Sequence, residues 1–195
     1  MLLFNRWDIK GLKVEDPGLV RYINLRPVVL PRTFGRNRGD FSKNDMNIVE
    51  RFMNKLMITG HTGKRHKITS GKFCGNYQTI MKETEKAFEI IENKTKTNPL
   101  QVFLKAIENA ALYEEIAAYR LGGTIARKAV ITSPQRRVDV ALRLITQGIY
   151  RSSFRHNRTL AAVIADELIA ISNNDSKSLP IRERSRIEKE AEGAR

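Results

Sequence analysis

Several groups of residues in this chain share types and spacing suited to one chemistry, the holding of an anion. The most specific is Thr132-Ser133-Pro134-Gln135-Arg136-Arg137-Val138. Serine ahead of proline predicts a helix start, with Ser133 as the cap and Pro134 at the first helical position. Arg136 and Arg137 then fall in the first turn, where cations oppose the helix dipole. Two arginines there suit an external anion, to which exposed backbone N–H groups and both guanidinium groups can donate. The plain alternative is two solvated residues at a helix start. A second group is Gly60-His61-Thr62-Gly63-Lys64-Arg65-His66-Lys67, continuing to Gly71-Lys72-Phe73. It reads as an exposed loop whose lysines and arginine grip backbone phosphates as point charges. A third, Arg32, Arg36 and Arg38, ends a stretch broken by prolines and glycines. A fourth, Arg120, Arg127 and Lys128, flanks Gly122-Gly123.

Other chemistries lack their residues. A nucleotide-binding phosphate loop needs Gly, four residues, then Gly-Lys-Ser/Thr. Neither Gly63-Lys64 nor Gly71-Lys72 has that upstream glycine, and neither lysine precedes Ser or Thr. His61, His66 and Cys74 do not make the four-ligand set of structural zinc. Cys74 and His156 are far apart, and nothing local marks either as an activated nucleophile or base. No catalytic residue, metal or cofactor is expected, nor a small-molecule substrate.

Charge points the same way as the motifs. Thirty-five Lys and Arg stand against twenty-one Asp and Glu in 195 residues, a net +14 with a sequence pI near 10.2. The signs also segregate. Arg32 to Tyr77 holds ten basic and three acidic residues, and Arg120 to Arg158 holds nine basic and one acidic, Asp139. Between them, Gln78 to Asn98 is neutral, with four Lys and four Glu. Solvated surfaces normally mix signs, so the two basic stretches are candidate halves of one polyanion-binding face. A membrane partner is disfavoured: no apolar run approaches the ~20 residues that span a bilayer, and Met1-Leu2-Leu3-Phe4 is too short for a signal core. A single cysteine fits a reducing, intracellular compartment.

The elements that must position these groups are mainly helical. Residues 1–41 lack sustained periodicity and carry Pro17, Pro27 and Pro31. They read as an extended basic arm, with at most one short helix, of a kind that often orders only on binding. Residues 42–175 read as the helical body. Ser42-x-x-Asp45 resembles a capping box ahead of a stripe at Val49, Phe52, Met53, Leu56 and Met57, closed by Gly60. Further stripes run through Ile80 to Ile91, Leu100 to Ala111 after Asn98-Pro99, Val138 to Ile145, and Leu160 to Ile171. From Ile116 to Ile131 the pattern alternates around Gly122-Gly123, which predicts a protruding hairpin. A lone ribbon is marginal in water, and one carrying Arg120, Arg127 and Lys128 is better stabilised against nucleic acid. Residues 176–195 have little apolar face beyond Ile181 and Ile187. They predict a helix docked on a partner, or a partly disordered tail.

One set of motifs runs along the chain in order: Ile48-Val49-Glu50-Arg51 through Met57, then Asn98-Pro99-Leu100-Gln101-Val102-Phe103. It continues through the Arg120–Ile131 hairpin, Ser133-Pro134-Gln135-Arg136-Arg137-Val138 and Ala165-Asp166-Glu167-Leu168-Ile169. In these residues the chain resembles the universal ribosomal protein seven of the small subunit. The basic loop from His61 to Tyr77 and the Trp7-containing arm look like the archaeal–eukaryotic branch, and the short N-terminus favours archaeal. The resemblance implies a bundle of about five to six helices with a projecting hairpin and no enzymatic activity. It also implies binding to the 3′ major domain of small-subunit rRNA at a multi-helix junction, and the start of head assembly. The expected place is in the cytoplasmic ribosome, beside exit-site tRNA and mRNA and next to head and platform proteins. Carried over by position, rRNA contacts fall on Arg32, Arg36, Arg38, Lys64, Arg65, Lys67, Lys72, Arg136 and Arg137. Arg127, Lys128, Arg143, Arg155 and Arg158 join them, with Arg120, Gly122, Gly123 and Thr124 at the hairpin tip near tRNA.

Two other readings differ in what they require. A DNA-binding regulator would use the helix after Ser133-Pro134 in the major groove, but a hairpin occupies the place of its partner helix. A nucleic-acid enzyme would need clustered carboxylates for metal ions, which the sequence does not offer.

Overall fold

The computed structural model describes residues 2–39, 42–58 and 72–195. Along them run α1 (Ile48–Leu56), α2 (Tyr77–Thr95), α3 (Pro99–Ala110), β1 (Glu114–Leu121), β2 (Thr124–Ile131), α4 (Pro134–Ser153), α5 (Leu160–Ser172) and α6 (Leu179–Glu192). The mainly helical class with one antiparallel hairpin agrees with the periodicity.

Local chemistry sets most boundaries. Asn98 Oδ1 accepts from the Leu100 N–H at 3.0 Å and Pro99 opens α3. Asn76 Oδ1 likewise accepts from Gln78 N at 3.0 Å, and α2 stops where Lys96 turns left-handed at φ +56°. Thr159 caps α5. Two expected caps are corrected. Ser42–Asp45 forms a separate 3-10 turn, and α1 is capped by Asn47, whose Oδ1 accepts from Val49 N at 2.9 Å. The tertiary reason is that Asn47 Nδ2 donates to the Arg26 carbonyl and Ile48 N donates to that of Asn24, so the N-terminal segment decides where the helix begins. Ser133 sits at the head of α4 but its side chain makes no capping bond. Gly60, expected to close α1, lies outside the described residues.

The core forms where α2 lies along α5 and α3 packs on α4 and α5, with α1 against α2 and α4. The stripes converge on buried Phe52, Phe88 and Phe103, with ring centroids 5.1 Å (Phe52–Phe103) and 6.0 Å (Phe88–Phe103) apart. Each large side chain so buried contributes about 1.5–3 kcal/mol.

The aperiodic N-terminal segment is packed rather than standing off the bundle. Leu3, Phe4, Trp7, Leu19 and Ile23 join the core. Trp7 meets Phe88 edge-on at 5.6 Å and donates its indole N–H to Glu92 at 3.0 Å. Apart from a 3-10 turn at Val20–Tyr22 it has no helix, and it holds by side chains and a few backbone bonds such as Phe4 N to Val29 O.

The hairpin turns on Gly122 and Gly123, at φ +53° and +91°, the pair of positive values a two-residue type I′ turn requires. Its register runs from Glu114↔Ile131 to Leu121↔Thr124, starting slightly earlier than the alternation indicated. The outer half is exposed on both faces. Of the two C-terminal alternatives the structure shows the helix, and it docks on this chain's own bundle: α6 packs on α4 and on the base of β1. Pro180, Ile181 and Ala191 are buried, and Ile187 packs on Leu112, Val140 and Leu144. Arg184 Nη1 donates to the Asn109 carbonyl at 2.7 Å, and Glu188 accepts from Tyr113 N at 3.1 Å. A narrow apolar stripe suffices because polar groups complete the contact.

Candidate nucleic-acid interface

Arg51 and Lys55 lie one turn apart on α1, and Asp139 and Arg143 one turn apart on α4, so each pair shares a helix face. The crossing of these helices brings the two basic stretches together. Asp139 Oδ1 accepts from Arg51 Nη2 at 3.2 Å, and Asp139 Oδ2 accepts from Lys43 Nζ at 3.0 Å. Arg51 is buried and also donates to the Tyr22 carbonyl at 2.9 Å. Burial would raise Asp139, but the Lys43 hydrogen bond and the Arg51 charge hold it below the usual aspartate range.

That one carboxylate is consumed by Arg51 and Lys43. Lys55 and Arg143 line the same groove with Ser133, Gln135 and Arg136, and neither has an ion-pair partner among the described residues. Burial lowers Lys55 from the usual lysine range; Asp139 pulls it back, while Lys43, Arg143 and Arg51 push it further down. Lys55 and Arg143, crowded with Lys43 and Arg51 beside the positive end of α4, make a place where a phosphate lowers the energy of the cations that Asp139 does not pair.

At the head of α4 the two arginines part company. Arg136 is exposed and forms a fork-to-fork pair with Glu115 of β1, Nε to Oε1 at 2.5 Å and Nη2 to Oε2 at 2.7 Å. Arg137 points inward. Its Nε donates to the Leu112 carbonyl at 2.8 Å, Nη2 donates to Asp16 at 2.7 Å, and the guanidinium lies 4.4 Å from the Tyr113 ring centroid. Both arginines thus donate to acceptors of this chain, but Arg136 does so at the surface, within reach of an external anion, and Arg137 does so buried.

The remaining candidates form several groups. Lys72 Nζ donates to the carbonyls of Ser153 (3.3 Å) and His156, bridging to the loop that exposes Arg155 and Arg158. Arg158 pairs with Asp166, which Lys94 also holds. Arg32, Arg36 and Arg38 lie on the surface beside α1, because Thr33 donates twice to buried Glu50. On the hairpin, cross-strand pairing puts Arg120 and Arg127 on one face and Lys128 on the other, with Gly122, Gly123 and Thr124 at the tip. Lys64, Arg65 and Lys67 lie outside the described residues. Lys43 and Lys55 were missed; the available signal was Lys55 one turn beyond Arg51, on the side of α1 away from the apolar stripe.

Among the described residues no helix is long and apolar enough to cross a membrane, and no group of three or more His, Cys, Asp or Glu could hold a metal ion. Residues 19–195 match the family described as Ribosomal protein S7p/S5e. The chain belongs to this family. S7p/S5e proteins are structural parts of the ribosome, so this member is not an enzyme, and RNA binding and a role in translation follow from membership. Similar archaeal proteins, each named small ribosomal subunit protein uS7, span the chain almost end to end. That of Nanoarchaeum equitans is 45% identical over 100% of this chain and 99% of its own length. The protein of Archaeoglobus fulgidus is 43% identical over 100% and 95%, and that of Methanococcoides burtonii 40% over 99% and 98%.

Proposed function

We propose that this S7p/S5e member is a structural constituent of the small ribosomal subunit in the cytoplasm, bound to the 3′ major domain of small-subunit rRNA, where it nucleates head assembly. The observation that carries the reading is the groove between α1 and α4, where Lys55 and Arg143 have no ion-pair partner among the described residues. Phosphates from more than one RNA helix satisfy that groove, Arg136 and the surface around Lys72, Arg155 and Arg158 together, which clamps a junction. A-form RNA hides base edges in its deep groove, so specificity comes from junction shape. The hairpin, with Arg120, Arg127, Lys128 and the Gly122-Gly123-Thr124 tip, reaches away from the bundle toward exit-site tRNA, mRNA and platform proteins.

Phosphate contact makes affinity fall steeply with salt, about a thousandfold or more between about 50 and 200 mM when six or more phosphates are engaged. The test is binding of the whole chain to a 3′ major domain transcript across that range, with Lys55→Gln plus Arg143→Gln as the variant. Weaker binding and a shallower salt slope are expected. Unchanged affinity and slope would remove the groove from the interface, and preference for duplex DNA over the transcript would favour the regulator reading.

A further inference from the structure

We infer that Phe34 is a stacking platform for an unpaired nucleobase, an inference that rests on the RNA-binding reading above. An exposed phenylalanine is ordinarily unremarked, but this one is held out by its surroundings. The residue is 68% exposed. The Arg32 guanidinium carbon lies 4.5 Å from the Phe34 centroid and 4.8 Å from that of Tyr77, so the arginine links the outer ring to an inner one. Tyr77 is fixed in turn by donating its hydroxyl to the Pro31 carbonyl at 2.5 Å.

The backbone is equally constrained. Phe34 has φ +53° and Gly35 φ +73°. A bulky residue in the left-handed region is unfavourable, and such strain persists where the surroundings over-determine it. Here Thr33 is pinned by two bonds of 2.8 Å to Glu50, Arg36 N donates to the Thr33 carbonyl at 3.1 Å, and Arg38 Nε donates to that of Gly35 at 3.1 Å. The result is a tight turn that aims an aromatic ring at solvent between exposed cations.

Arg32, Arg36 and Arg38 give the surroundings of that ring a positive sign, with no ion pair to any of them among the described residues. An apolar protein partner would not call for three arginines around one aromatic. An unpaired base does, because its faces are aromatic and its flanking phosphates are anionic. The base stacks on the open part of the Phe34 ring while Arg36 and Arg38 reach the phosphates on either side.

The test uses the full chain and its Phe34→Trp, Phe34→Leu and Phe34→Ala variants, titrated with the 3′ major domain transcript over a range of salt. Phe34→Trp is expected to bind at least as well as the parent, while Phe34→Leu and Phe34→Ala lose about tenfold. The salt slope should not change in any of the three, since a base on a neutral ring displaces no counterion. Arg36→Gln should lower the slope by about one. Thermal melting of Phe34→Leu should match the parent, separating lost stacking from lost folding. Parental affinity in both Leu and Ala variants, while Lys55→Gln plus Arg143→Gln still weakens binding, would overturn the Phe34 inference and leave the RNA reading standing. Parental affinity in the Leu variant alone would reduce the ring to a simple apolar contact and also overturn it. A parent that ignores the transcript would remove both.

Discussion

Arg137 Nη2 lies 2.7 Å from Asp16 Oδ2, tying the first turn of α4 to the N-terminal segment across 121 positions of sequence. With the Leu112 carbonyl and the Tyr113 ring on the same guanidinium, it fastens three parts of the chain at one point. Its neighbour Arg136 faces outward on Glu115.

The two arginines should therefore separate in experiment. Arg137→Ala removes the donors to Asp16 Oδ2 and the Leu112 carbonyl and should cost about 2–4 kcal/mol of unfolding free energy. Arg136→Ala removes a mostly exposed pair and should cost about 0–1 kcal/mol. Urea unfolding of each variant measures this, and equal losses would contradict the inward and outward placement.

Asp139 predicts how the α1–α4 crossing responds to acid. Its carboxyl is held below the usual range when folded, so its contribution is complete above the ordinary aspartate value of about 3.9 and is lost as pH falls through the folded value. The stability gap between the parent and Asp139→Asn should be wide at about pH 7 and narrow toward about pH 3. Denaturant midpoints at the two pH values test it. A gap that widens in acid would reverse the assigned sign.

Gly148 is the point where α4 is approached by α5 and the start of α6. A Cβ there would stand 2.9 Å from Glu167 Oε1 and 3.0 Å from Pro180 Cδ, and Glu167 cannot swing away freely because Ser178 Oγ donates to it at 2.7 Å. Overpacking of about 1–3 kcal/mol outweighs the ~1 kcal/mol that alanine adds to a helix. Gly148→Ala should lower the melting temperature, and protease should then cut α6 sooner than in the parent.

Trp7 is the one tryptophan in the chain and sits at 4% exposure against Phe88. Its fluorescence therefore reports docking of the N-terminal segment. In urea its emission should shift to the red together with the loss of far-UV circular dichroism, as one cooperative transition. A shift at clearly lower urea would mean that the segment leaves the bundle first.

Helix identity was legible because an apolar stripe of period 3.6 is written in the residues themselves, as in Leu100, Phe103, Leu104 and Ile107 of α3. The hairpin was legible for a similarly local reason, since Gly122-Gly123 supplies the two positive φ angles that a tight turn needs. The excess and segregation of charge likewise required no coordinates, and neither did the motif set that carries the family resemblance.

What tertiary structure decided is which charges are spent internally. Arg136 and Arg137 are adjacent and chemically identical, yet one faces solvent and the other is buried, because the acceptors that choose between them, Glu115, Leu112 and Asp16, come from other segments. The same holds for Lys55 and Arg143, whose lack of an ion-pair partner among the described residues appears only once Asp139 is seen to be occupied by Arg51 and Lys43. Periodicity reports the face a helix turns inward. Which long polar side chains find partners depends on segments brought close by folding, and no local pattern records that distance.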